Sequence, residues 1–234
     1  GFISEAKLNV LPIPPTSALV IVKYHDFDSS LRDATFLMKA MPTSIETIDS
    51  KVLNLAMNDF IWHQVEEFFG DDASENVQGI NLVEYTANSE EELQEKLNLF
   101  NKHVNGNTNS ARLGHSVVWG SDNVKKVWAM RKRAVGLLGN VQGESRPVPF
   151  VEDTAVPPEH LADFILEFRE ILDGYRLEYG MFGHVDCGVL HVRPSLDMKD
   201  PEQEKMAWEI SDRVAELTAQ YHGLLWGEHG KGVR

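Results

Sequence analysis

Two histidines, His184 and His191, stand seven residues apart in the segment GHVDCGVLH. On a straight strand an odd offset sends two side chains to opposite faces. A turn at Asp186-Cys187-Gly188 would fold the segment back and let the two rings converge. Imidazole is the commonest side-chain ligand of transition metals, so a converged pair could hold one. The same pair could equally be structural, and spacing alone leaves both readings open. Further along, Glu228-His229 is bracketed by Gly227, Gly230 and Gly232. Glycine lets a backbone take positive φ and approach a ligand closely. A carboxylate and an imidazole on such a loop could supply a third metal ligand and a proton acceptor, or form a plain surface turn. Cys187 lies beside this region without a thiolate-forming context, and a small packed cysteine is the simpler reading.

A cation in an unusual place is the other candidate. In NVKKVWAMRKRAVGLL (123–138) the residues Val124, Val127, Trp128, Val135 and Leu138 mark an apolar helical face, and Arg131 falls on it. A guanidinium on an inward face needs a partner. A substrate carboxylate suits, because arginine pairs with it bidentately; an internal acid such as Asp153 would serve as well. No G-x-G-x-x-G opens a helix, and there is no P-loop and no G-x-S-x-G elbow.

These groups need a scaffold. The chain has 234 residues, 42% of them hydrophobic, which suits one large or two small domains. Its formal charge of -14 makes nucleic acid or anionic lipid an unfavourable partner. Cys187 is the single cysteine, so no intramolecular disulfide forms. No apolar run approaches the roughly 18 residues that span a bilayer. The start, Gly1-Phe2-Ile3-Ser4-Glu5, has neither signal nor transit character. The expected compartment is the cytoplasm, with peripheral association at the inner face of the membrane, through parts outside the chain, as a variant.

The pattern of elements points to an α+β fold. Ala6, Leu8 and Val10 alternate with polar residues as in a strand, ahead of a proline cluster ending at Pro15. LVIVKY (19–24), SIETID (44–49) and INLVEYTA (80–87) read as strands. Helices are expected over 30–41, from an N-cap at Ser89 to about Val104, and over 123–138, 158–173 and 201–222. LEYGMFGHVDCGVLHVRPS (177–195) reads as strand, turn, strand. This order predicts a ferredoxin-like, largely antiparallel sheet flanked by helices. Acidic loops at Asp71-Asp72 and Asp197–Asp200 read as solvated surface.

Four segments, WAMRKR (128–133), PFVEDTAVP (149–157), GHVDCGVLHVRP (183–194) and GEHGKG (227–232), resemble the C-terminal (cap) domain of FAD-linked oxidases of the vanillyl-alcohol-oxidase type, in that family's order. FVEDTAVP, MFGHVDCGVLHVRP and LLWGEHGKG are most similar to the large bacterial FAD/iron–sulfur D-2-hydroxyglutarate dehydrogenase subgroup. The resemblance implies that His184, His191 and Glu228 ligate a divalent metal, zinc or else manganese or iron. It implies that His229 is the general base, that Arg131 holds the substrate carboxylate, and that FAD accepts hydride from a D-2-hydroxyacid such as D-2-hydroxyglutarate, D-lactate or glycolate. It further implies that residues 1–15 are the last strand of an FAD-binding domain plus a linker. Residues 16–234 are then a substrate- and metal-binding cap cut short at its C-terminus, with a 4Fe–4S cluster in a region beyond it.

The sequence departs from the family's pattern at Asp186-Cys187-Gly188-Val189, where many relatives have Gly-Asp-Gly-Asn. It also departs at Val135 for a threonine, at Val151 for a lysine and at Arg193 for an asparagine. These changes spare the metal set and alter the groups that would meet the carboxylate. Arg193 and Arg146 could supply the missing cation, with Lys231 and Arg234 flanking the glycine loop, and a second cation favours a dicarboxylate. On the surface, Arg193 could instead pair with Asp186 or Asp197. The competing readings are a stand-alone metal- or ligand-binding module and an interaction domain with structural histidines. The electron acceptor is left open.

Overall fold

The computed structural model describes residues 2–70, 76–107, 109–139 and 143–230. Its first half is a β-α-β-β-α-β unit. Strand β1 (Thr16–Tyr24) leads through helix α1 (Phe27–Leu37) to β2 (Ser44–Asp49). Helix α2 (Ser50–Met57) and the short α3 (Glu66–Phe69) sit between β2 and β3 (Gly79–Ala87). Helix α4 (Glu90–Asn105) then leads to β4 (Arg112–Trp119). The order β4-β1-β3-β2, with antiparallel neighbours, is the expected ferredoxin-like sheet.

The second half builds onto the free edge of β2. Helix α5 (Ser121–Leu137), the two-residue strands β5 (Arg146–Pro147) and β6 (Thr154–Ala155) and helix α6 (Leu161–Gly174) lead to β7 (Tyr179–His184). Strand β8 (Val189–Leu196) and helix α7 (Pro201–Gln220) follow. Strand β7 pairs with β2, β8 with β7, and both β5 and β6 with β8, all antiparallel.

Strand β1 is a continuous apolar run because both faces of the sheet are covered. Ala18, Val20, Val22 and Tyr24 join one core with Leu31, Leu93, Phe164 and Ile210. Leu19 and Ile21 join the other with Val52, Val127, Met130 and Phe182. Successive side chains go to opposite sides, and each fully buried Leu or Ile is worth about 1.5–3 kcal/mol. Helices α2 and α5 roof the second face over β1 and β2. Val52 and Leu138 carry that roof over β7 as far as Gly180, and past Phe182 the same face bears His184 and His191.

The caps show why the elements stop where they do. Asp26, Asp49, Ser89 and Asp200 each accept a backbone N–H in the first turn of α1, α2, α4 and α7. Asp49 also accepts the N–H of Met181 at 2.7 Å and so ties α2 to β7. Its burial pushes its carboxyl up to about 6, against the pull of those two N–H donors.

Two expectations need correction. The strand expected around Ala6, Leu8 and Val10 is absent: residues 2–14 have no regular structure, with Leu8 and Val10 79% and 85% exposed. A strand is held by a neighbour's backbone groups, and no described residue pairs with this segment. Helix α2 and strand β4 lie where no element was expected; β4 contains Gly114 and is only half-buried, which blurs its alternation. Asp71-Asp72, Lys231 and Arg234 lie outside the described residues. No helix among the described residues is long and apolar enough to cross a membrane.

Candidate active site

The hairpin β7–β8 brings the two histidines to one face. His184 stands opposite Val189 and Phe182 opposite His191, so His184 and His191 are diagonal neighbours. Their ring centroids are 5.5 Å apart with planes at 88°. The turn between them needs Gly188, where φ is +71 and a Cβ would lie 1.8 Å from the carbonyl oxygen of Val156. Asp186 accepts the N–H of Ile45 at 3.0 Å and pins the turn to β2. Cys187 is exposed on this turn and not packed as expected; partial desolvation and the adjacent Asp186 still push its thiol up, away from a thiolate role.

The loop carrying Glu228 and His229 is held from below by Asp153, which is fully buried and has a φ of +69. The Asp153 carboxylate accepts the N–H of Glu228 at 3.0 Å and that of His229 at 2.8 Å. Its carbonyl accepts the N–H of Gly227 at 2.7 Å. Two successive N–H groups converging on one carboxylate fix the direction of both side chains.

The side chain of Glu228 then enters the histidine cluster. Its Oε1 lies 3.0 Å from His184 Nε2, 2.9 Å from His191 Nε2 and 3.5 Å from His229 Nε2. One carboxylate oxygen thus faces three imidazole nitrogens. The Glu46 carboxylate receives His184 Nδ1 at 2.5 Å. That hydrogen bond raises the His184 pKa. Burial lowers the pKa of His191, whose Nδ1 is buried with no hydrogen-bond partner among the described residues.

The ligand atoms of His184, His191 and Glu228 lie within 4.8 Å of one another, as do those of Glu152, His191 and His229. In neutral His184 with its proton on Nδ1, the Nε2 lone pair points at the Glu228 oxygen, and two lone pairs facing each other call for a cation between them. Two imidazole nitrogens and a carboxylate oxygen suit a divalent ion such as zinc.

Two arginines stand at the rim. From α5, Arg131 pairs with Glu46, the carboxylate that also holds His184. From β8, Arg193 Nε pairs with Glu152 Oε2 at 2.8 Å, while Glu152 Oε1 lies 3.3 Å from His229 Nδ1. Both guanidinium groups lie over the ring of Phe182, at 5.6 and 5.4 Å from its centroid. That ring lies 5.2 Å from the ring of His191.

Arg131 does meet an internal acid, but it is Glu46, since Asp153 serves the glycine loop; at Arg193, Glu152 takes the place of Asp186 or Asp197. The structure does not bring Arg146 to the cluster. It is exposed on β5 and donates to the carbonyls of Gly143 and Ser145. Strand β5 pairs with the far end of β8, at Leu196, roughly 17 Å along the strand from His191. Glu46, Glu152 and Phe182 were not among the expected site residues. The signal for Glu46 was an acid inside an alternating strand that turns out to be buried.

The FAD-linked oxidase C-terminal domain model matches residues 13–234. The chain belongs to this family. It is 59% identical to a D-2-hydroxyglutarate dehydrogenase of Pseudomonas putida, over 100% of this chain and 23% of that protein. It is 51% identical to one of Escherichia coli, with the same two shares. A glycolate oxidase subunit of Bacillus subtilis is 20% identical over 99% of the chain. The chain therefore spans about a quarter of the length of these two dehydrogenases.

Among solved structures, p-cresol methylhydroxylase has a TM-score of 0.61 over 91% of this chain and 45% of that one, at 10% identity. The 4-ethylphenol oxidase of Gulosibacter chungangensis has a TM-score of 0.56 over 91% of this chain and 46% of that one, at 12% identity. These two likenesses show the fold alone.

Proposed function

We propose that this chain is the substrate- and metal-binding cap of a flavin-dependent dehydrogenase that oxidises a D-2-hydroxyacid to its 2-oxoacid, with D-2-hydroxyglutarate favoured over D-lactate and glycolate. Residues 16–234 form the cap and residues 1–15 lead from an FAD-binding domain of the same protein. One observation carries the reading: Arg131 and Arg193 flank the Phe182 ring beside a cluster of three imidazoles and one carboxylate. Identity of 59% to a D-2-hydroxyglutarate dehydrogenase along the whole chain favours this reading over a stand-alone binding module or a structural role for the histidines.

His184, His191 and Glu228 would hold the divalent ion. Bound there, the ion would supply Lewis acidity toward the substrate hydroxyl, and the flavin of the full protein would supply the hydride acceptor. The chain's own residues do the rest. Arg131 and Arg193 bind and orient the anionic ends of the substrate. His229 is the proton acceptor: with a proton on Nδ1 directed at Glu152, its Nε2, which lies 3.5 Å from Glu228 Oε1, carries the lone pair that takes the proton of the C2 hydroxyl. Its side chain is 47% exposed against 5% for His191, which suits a group that must pass its proton on. The cytoplasm is the proposed compartment, with an iron–sulfur cluster in the remainder of the protein as the exit for electrons.

The experiment compares kcat/KM for D-2-hydroxyglutarate and D-lactate in the full protein that carries this chain, before and after Arg193→Ala. The parent is expected to prefer the dicarboxylate, and the variant to lose most of that preference through a rise in KM. Removing one partner of a partly buried, charge-assisted pair costs about 2–5 kcal/mol. A parent without dicarboxylate preference, or a preference untouched by the substitution, overturns the assignment of Arg193 to the second carboxylate.

A further inference from the structure

Glu46 lies outside every motif that marks the site, yet it touches two of its members. It sits on β2, directly opposite His184 of β7, and is 9% exposed. One oxygen receives His184 Nδ1 and the other receives an Arg131 terminal nitrogen. We infer that Glu46 is a positioning residue that holds His184 in the ligand-presenting orientation and joins the metal site to the substrate-carboxylate site through Arg131. The inference rests on the functional reading given above and adds to it a coupling between its two halves.

The physics is that of a carboxylate behind a ligating imidazole. A proton held on Nδ1 fixes the tautomer, leaves the Nε2 lone pair free and fixes the plane of the ring; loss of such a partner costs about ten- to a hundredfold in metal affinity. Here the same carboxylate is shared with a guanidinium. When an anion binds Arg131, it competes with Glu46 for the guanidinium and leaves the carboxylate more strongly engaged by His184. Metal and substrate anion therefore favour one another's binding. Arg131 Nε, buried with no hydrogen-bond partner among the described residues, is a donor left for an anion that this ion pair does not use.

Glutamine at position 46 is neutral and has one acceptor and one donor end, so it cannot serve both partners and accepts from His184 more weakly than a carboxylate does. The test is a titration of the chelator-stripped full protein with zinc ion alone, for the parent, Glu46→Gln and Glu46→Ala, each checked for fold by circular dichroism. Glu46→Gln is expected to bind zinc about ten- to a hundredfold more weakly. Added formate is expected to restore severalfold affinity to Glu46→Ala by filling the vacated carboxylate position, a rescue that a scaffold role would not show. Zinc affinity within twofold of the parent in the variants, or no rescue by formate, overturns the role of Glu46 and leaves the metal site standing. A parent that binds no zinc overturns the metal reading itself, and the role of Glu46 with it.

Discussion

Replacing His229 with alanine is expected to lower kcat for D-2-hydroxyglutarate by about 10²–10⁴-fold, the usual contribution of a positioned general base. Metal content is expected to stay at the parent level. Among the described residues the cluster holds two overlapping donor groups, one built from His184, His191 and Glu228 and the other from Glu152, His191 and His229. Only the first leaves His229 free to take a proton. Its ring lies 5.1 Å from that of His191 with planes at 16°. Kinetics and metal analysis on the same purified variant separate the cases. Loss of bound metal along with activity would make His229 a ligand, and activity within tenfold of the parent would remove it as the base.

Arg131→Ala is expected to cost about 2–5 kcal/mol in kcat/KM, carried mainly by KM. Part of that cost is the penalty of leaving Glu46, whose side chain is 11% exposed, with one partner fewer. Arg131→Lys separates charge from shape. A lysine can answer Glu46 or the substrate but cannot present the planar fork that serves both. It is therefore expected to fall well short of the parent. Steady-state kinetics across a panel of D-2-hydroxyacids check this. Unchanged constants with every substrate would take Arg131 out of the site.

Much of the scaffold is legible in the chain. The apolar, β-branched run at 19–24, the alternation at 44–49 and the strand at 80–87, interrupted by helical periods, yield the ferredoxin-like unit, whose sheet is covered on both faces. The hairpin at 179–196 is readable from its glycines. The N-terminal segment misleads because alternation alone does not supply a pairing partner. The site is legible where a motif names it, at His184, His191, Glu228 and His229. Arg131 is legible as an anomaly on an apolar helix face. Glu46 is not, because only the β2–β7 register sets it opposite His184, and register is a property of two distant segments. Arg146 fails for the converse reason. It stands near the motifs along the chain, but its strand joins the far end of β8.

The measurement that bears most directly on the account is anaerobic reduction of the flavin in the full protein, followed by loss of its visible absorbance. The D enantiomer of 2-hydroxyglutarate is expected to bleach it and the L enantiomer to leave it oxidised. Removal of metal by a chelator is expected to slow the bleaching severely, and zinc or manganese to restore it. Bleaching at the parent rate in protein shown to be free of metal, or no bleaching by any D-2-hydroxyacid, would contradict the account.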